Sequence, residues 1–304
     1  MPRVVKSGKS KSSPTMSRVL AESNQRHSTR IHLLEKIEEE LDRNIITFFT
    51  STRFAVIIDD RDADMIEGLL ELYDNSKGIT LILNSLGGSA LAAERIINIC
   101  RTHSNNNFEV IVPRKAKSAA TMICMGARKI LMGRTAELGP IDPQVLIRTE
   151  SGDKELRAVY YIIDSYEKLF KEAVRTTGNV QPYLQQLERF DAKDIREYKE
   201  INKLAEDIAV KVLRSGMMKR KTVNFIKNKI KPFTKPTHTR THGRPIYIDD
   251  ARRAGIKIDE ITLNSKLWKL IWKLYVRTNN FVNSSASKVV ESVVDSWEIS
   301  APER

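Results

Sequence analysis

Residues 81–89 read Leu-Ile-Leu-Asn-Ser-Leu-Gly-Gly-Ser, an apolar run that breaks into a glycine pair followed by a helix-capping residue type. Such a run predicts a buried strand, and the glycines allow a sharp turn that leaves backbone N–H groups uncovered at the start of a helix. A helix over 89–103 satisfies the pattern beyond the turn. Working outward, further strands are expected over 54–58, 108–112 and 129–132, with helices over 63–73 and 119–126 between them. Short apolar strands alternating with helices imply right-handed βαβ crossovers and a mostly parallel sheet covered on both faces. Ile31, Leu34, Ile37 and Leu41 recur at three- and four-residue spacing, which predicts an amphipathic helix before the alternation begins.

Beyond Pro143 the periodicity becomes mainly helical, over about 155–177, 183–190, 194–214 and 219–229. A loop over 231–245 follows, then a short helix ending at Gly255 and a strand over 256–258. The last strong helix, 264–277, stacks Lys266, Lys269, Lys273 and Arg277 on one stripe of an otherwise apolar surface. This suits a core or oligomer contact with a cationic rim. The reading divides the chain into a disordered basic tail (1–28), an α/β domain (29–262), and a C-terminal amphipathic helix and tail (263–304).

The composition, 41% hydrophobic and 29% charged over 304 residues, is that of an ordinary globular chain. Cys100 and Cys124 lie in apolar helical settings and read as buried free thiols, which fits a reducing compartment. No apolar run approaches the ~20 residues that span a bilayer, and no apolar stretch follows the basic N-terminus. A cytoplasmic location is expected, with room for peripheral membrane contact. The net charge of +13 is uneven: 211–257 holds fourteen Lys or Arg against two acidic residues, Asp249 and Asp250. Such a surplus either keeps the surface solvated or attracts anions such as nucleic acid and acidic lipid.

Two more segments bear on chemistry. In Val112-Pro113-Arg114-Lys115-Ala116-Lys117-Ser118-Ala119-Ala120-Thr121-Met122, a strand ends and a small-residue helix begins at Ser118. Read alone, Ser118 is better explained as a helix cap than as a nucleophile helped by the helix dipole. The third segment is Ala136-Glu137-Leu138-Gly139-Pro140-Ile141-Asp142-Pro143-Gln144, a turn-rich loop after the next strand, where parallel sheets bind ligands.

In this order the strings NSLGGS, KSAATMICMGARKILMG and ELGPIDPQ resemble the serine dehydrogenase proteinase family. That family belongs to the Clp/crotonase-fold serine peptidases and is related to signal peptide peptidase A. The resemblance is strongest over about 45–150 and continues more loosely through THGRPI and ARRAGIKI to Ile258. It implies repeated ββα-type units, a mostly parallel sheet flanked by helices and a helical C-terminal elaboration. It also implies Ser118 as nucleophile, the amides of Gly88 and Ala119 as oxyanion hole, and Gly87, Ser89 and Asp142 along the substrate. The chain reads SAATM where the family usually has an SAGTM-like string.

Clp subunits place a histidine about where Ile141 stands, so a Clp-like triad is not expected. A lysine base of the signal peptide peptidase A type points to Lys154, 36 residues after Ser118, with His242 of the THGRPI segment as rival. No cofactor or metal is expected, because His238 and His242 stand four apart in a segment unsuited to helix and no third ligand is evident. The resemblance implies a serine endopeptidase acting on polypeptide, as a homo-oligomer built from trimers or rings. The alternative is a weak or inactive scaffold of the same fold, held to nucleic acid or anionic membrane through the basic surface.

Overall fold

A computed structural model describes residues 27–148 and 152–302, so the N-terminal tail expected over 1–28 lies almost wholly outside the described residues. In chain order the elements that frame the site are α1 (Ile31–Leu41), β1 (Asn44–Thr50), α2 (Asp60–Leu70), β2 (Ile79–Asn84), α3 (Ala90–His103), β3 (Phe108–Val112), β4 (Lys115–Ala116), α4 (Ala119–Gly126), β5 (Ile130–Met132) and β6 (Glu137–Leu138). A two-stranded ribbon, β7 (Gln144–Arg148) and β8 (Lys154–Ala158), leads to α5 (Val159–Arg175), α6 (Gln181–Leu187) and α7 (Ala192–Ser215). Then come α8 (Val223–Lys229), α9 (Lys231–Thr234), α10 (Pro236–Thr239), α11 (Ile248–Arg253), β9 (Ile258–Glu260), α12 (Lys266–Val282), β10 (Ala286–Glu291) and β11 (Ser296–Ser300).

Seven strands form the main sheet in the order β11-β10-β1-β2-β3-β5-β9. From β1 to β9 all neighbours are parallel; β10 pairs antiparallel with both β1 and β11, so it alone runs against the others. The chain therefore folds as an α/β protein with a mostly parallel sheet between helical layers. Strand side chains alternate between faces. Ile46, Phe48, Leu81, Leu83 and Val110 join the core beneath α2, α3 and α4, whereas Ile45, Phe49, Ile82 and Ile111 join the core beneath α1 and α12. Every residue of β1, β2 and β3 is buried, as a sheet covered on both faces requires. Cys100 and Cys124 are buried free thiols, and burial pushes the Cys100 thiol up to about 12.

Four expectations are corrected. The strand expected over 54–58 is an irregular segment whose one sheet contact is a bridge from Ile58 to Gly88; Asn44–Thr50 takes the strand place because it pairs with β2 and β10 at once. The mainly helical region after Pro143 opens instead with the β7–β8 ribbon. The loop expected over 231–245 contains two four-residue helical turns, α9 and α10. The C-terminal tail supplies β10 and β11, so 263–304 is continuous with the main sheet rather than appended to it. Lys288 of β10 donates to Asp59 at 2.8 Å and to both carboxylate oxygens of Asp62 at 3.0 and 2.9 Å, tying β10 to the N-terminus of α2. Arg30 and Glu291 form a second buried ion pair. α12 is a core helix: Trp268, Ile271, Leu274 and Phe281 are buried against α1 and β1. No helix among the described residues is long and apolar enough to cross a membrane.

Candidate active site

Ser118 stands at the junction of β4 and α4, at the carboxyl end of the sheet. It is the residue before the first turn of α4, yet its hydroxyl makes no capping bond to the helix. Its backbone has φ 49° and ψ −121°, in the region that favours glycine. A non-glycine residue held there carries about 1–3 kcal/mol of strain and marks a functional position more often than a structural one. The capping reading of Ser118 has no hydrogen bond behind it.

Gly87 and Gly88 pack directly against this serine. A Cβ on Gly87 would lie 2.6 Å from both Ser118 Cβ and the Lys117 carbonyl, and a Cβ on Gly88 would lie 2.3–2.4 Å from the backbone N and O of Ile58. Ile58 donates to Gly87 O at 2.9 Å and accepts from Ser89 N–H at 2.8 Å, so the bridge uses the residues flanking Gly88. The N–H of Gly88 is left without an acceptor among the described residues, as is that of Ala119, the first residue of α4. Two free amides thus lie on the chain segments that meet at Ser118. The Ser89 hydroxyl accepts from Ala92 N–H at 3.3 Å and caps α3.

The turn is held from below by Ser85, a residue the sequence reading left without a role. The Ser85 hydroxyl accepts from Gly87 N–H at 3.1 Å and from the Thr50 hydroxyl at 2.8 Å, all in fully buried surroundings. Ser85 also bonds β4 through its backbone, at 3.1 Å to Lys115 O and 3.0 Å from Lys117 N–H. We predict that Ser85→Ala, which strands a buried amide and a buried hydroxyl, lowers unfolding stability by about 2 kcal/mol. Urea denaturation of the two forms checks this, and an unchanged midpoint would remove Ser85 from the framework of the turn.

The 136–144 loop is clamped onto the same serine. Ser118 N–H donates to Pro140 O at 3.2 Å, and Thr121 bonds Gly139 in both directions, at 3.0 and 3.1 Å. Lys117 turns away from Ser118: its ammonium bonds Leu138 O at 3.2 Å and pairs with Glu137 at 3.0 Å. Burial pushes the Lys117 ammonium below the usual lysine range, against the pull of Glu137. Ile141 donates to Phe233 O at 2.7 Å, and Leu138 and Ile246 exchange two backbone bonds, at 3.0 and 2.9 Å. Lys117 and Thr121 sit one and three residues from Ser118, and only their contacts reveal them as clamps.

The loop brings Asp142 to His242. Asp142 is 2% exposed, and its Oδ1 lies 2.9 Å from His242 Nδ1 across 100 residues of sequence. The other Asp142 oxygen has no partner among the described residues, and none is recorded for His242 Nε2. Lys154 lies elsewhere. It pairs with Arg148 at the far end of the exposed β7–β8 ribbon, four strand positions beyond the Gln144–Ala158 pair that adjoins the loop. The structure thus gathers Ser118, Gly87, Gly88, Ala119, Asp142 and His242 around one loop system and leaves Lys154 on the surface.

Comparison with known proteins agrees with this arrangement of motifs. The family model described as ClpP-like SDH-type serine proteinase matches residues 9–160. Two proteins of Methanocaldococcus jannaschii are each 34% identical to the chain: "Uncharacterized protein MJ0137" over 123 residues, and "Uncharacterized protein MJ1495" over 84. The first match covers 40% of this chain and 40% of the relative, the second 28% of each, so the chain spans well under half the length of the relatives it matches. Among solved structures, two mutants of the 1510-N membrane-bound stomatin-specific protease are similar. One is 22% identical, covering 45% of this chain and 66% of its own, with a TM-score of 0.29. The other, in complex with a substrate peptide, is 16% identical, covering 73% of this chain and 94% of its own, with a TM-score of 0.27. Scores that low carry no argument about the site. The family match spans half of the chain and contains all three motifs, and the chain belongs to the ClpP-like SDH-type serine proteinases.

Proposed function

We propose that the protein hydrolyses peptide bonds through an acyl-enzyme on Ser118. The observation that carries this reading is the backbone of Ser118, held at φ 49° with an uncapped hydroxyl where two chain segments with free amides meet. In the proposed reaction the Ser118 oxygen attacks the scissile carbonyl while its proton passes to a base. The Gly88 and Ala119 amides receive the charge that develops on the carbonyl oxygen, and the protonated base returns its proton to the departing amine. Water, deprotonated by the same base, then releases the acyl group. An extended substrate pairs along the Gly87–Gly88 turn, where the exposed side chains of Ile57, Leu86 and Leu91 offer apolar contact.

His242 is the better-supported base. Its Nδ1 is engaged by a buried carboxylate, which orients the ring, and its Nε2 has no partner among the described residues. Lys154 stands on an exposed strand and has no position against the loop that holds Ser118. A fluorophosphonate probe tests both assignments. The native protein is expected to label at Ser118. We predict that His242→Ala slows labelling by about 1,000-fold or more while Lys154→Ala leaves it within about twofold. The reverse pattern transfers the role to Lys154; labelling that survives Ser118→Ala defeats the peptidase reading itself.

A further inference from the structure

Behind the His242 segment lies an open cavity of about 410 Å³ that the peptidase chemistry does not use. Its rim carries Lys229 at the end of α8, Lys231 of α9, Arg244 of the segment after α10, and Arg253 of α11. One carboxylate, Asp250, lines it, and that group is already paired with Arg253. Lys229 bonds Arg253 O at 3.3 Å, which fixes an ammonium at the rim without neutralising it. No ion pair is recorded for Lys231 or Arg244 among the described residues. Four cations against one acid around a concave surface repel one another unless an anion enters.

The wall supplies a separate observation. Thr239 lines the same cavity, is 4% exposed, and its hydroxyl has no hydrogen-bond partner among the described residues. A buried hydroxyl left unpaired is costly, so the wall gains from a rearrangement that pairs it. The guanidinium and ammonium donors around the cavity match the several acceptor oxygens of a phosphate group, and the volume suits a small ligand. We propose that this cavity binds a small phosphate-bearing anion.

Occupancy reaches the active site by a short route. The segment from His238 to Ile246 forms one wall of the cavity and contains His242. Ile246 is itself a wall residue, and its backbone is bonded twice to Leu138, two residues before the Pro140 carbonyl that holds Ser118. An anion clamped between Lys231 and Arg244 fixes the segment that aims His242. This regulatory step rests on the assignment of His242 as base; the binding step does not.

Calorimetric titration with pyrophosphate at low ionic strength tests the binding. Saturable binding is expected for the native protein and, unchanged, for Ser118→Ala and His242→Ala. The double variant Lys231→Gln/Arg244→Gln, checked for an unchanged melting temperature, should bind about 30-fold or more weakly. No saturable binding, or equal binding by the double variant, overturns the site. If binding holds, pyrophosphate should change the native fluorophosphonate labelling rate several-fold and leave that of the double variant unchanged; an unchanged native rate overturns the coupling. Failure of the base assignment shows separately, as labelling indifferent to His242→Ala while binding persists. Adenosine monophosphate and phosphatidic acid vesicles distinguish the source of the phosphate. Binding of the nucleotide without recruitment to vesicles assigns a soluble ligand, and recruitment lost in the double variant assigns a lipid headgroup.

Discussion

Ser118→Ala is expected to abolish peptidase turnover, by on the order of 10⁴- to 10⁶-fold, while leaving folding stability within about 0.5 kcal/mol of the native protein. In the proposed reaction the hydroxyl is the nucleophile, and alanine has no atom to replace it. It also makes no capping bond, so its removal takes nothing from α4. Alanine keeps the Cβ, and with it the strain at φ 49°. Ser118→Gly separates the two roles. Glycine relieves the backbone strain at the expense of a more disordered unfolded chain, and a net gain of about 1 kcal/mol is expected with activity equally lost. Denaturant titration beside a peptidase assay reads both quantities. If Ser118→Ala lowers stability by the ~1 kcal/mol of a lost cap and spares activity, Ser118 is a cap and nothing more.

Ser118, the glycine turn and the 136–144 loop were legible in sequence because each is a contiguous string whose residue types are dictated by backbone geometry. The Asp142–His242 pair was not. Asp142 and His242 meet across 100 residues, and neither the spacing nor the neighbours of His242 signals a buried carboxylate waiting for it. Lys154 looked suitable because it follows the serine at a plausible interval, but 144–158 turns back on itself as a ribbon and carries it outward. The first strand failed for a different reason. Asn44–Thr50 and 54–58 are both apolar and β-branched, and only the tertiary choice of pairing with β2 and β10 decides between them. β10 depends on an antiparallel partner some 240 residues earlier, and its buried Lys288 reads as a surface lysine until Asp59 and Asp62 are placed beside it. Strings that encode a turn or a cap were readable; pairings made over long sequence distances were not.

Gly88→Ala should be nearly as damaging to activity as loss of the nucleophile, and it should lower stability where Ser118→Ala does not. The added methyl would lie 2.3 and 2.4 Å from the Ile58 N and O and 2.8 Å from its Cα. These are backbone atoms with no rotamer to change, so either the turn or the 56–58 segment must move. Movement breaks the two bonds that join Ile58 to Gly87 and Ser89, at 2.9 and 2.8 Å. The expected loss is about 3 kcal/mol, the scale of overpacking against an unyielding neighbour. It also displaces the Gly88 amide, and one lost oxyanion donor lowers turnover by about 100- to 1,000-fold. Because that amide acts on the charged transition state more than on bound substrate, kcat should fall while KM moves little. Leu86→Ala is the control for stability and kcat: its side chain is 45% exposed two positions away, its truncation leaves the backbone of the turn intact, and the apolar contact it gives up should register in KM alone. A Gly88→Ala protein that keeps more than about a tenth of native kcat would place the oxyanion elsewhere. The peptidase reading would then have to be rebuilt around Ala119 and a different second donor.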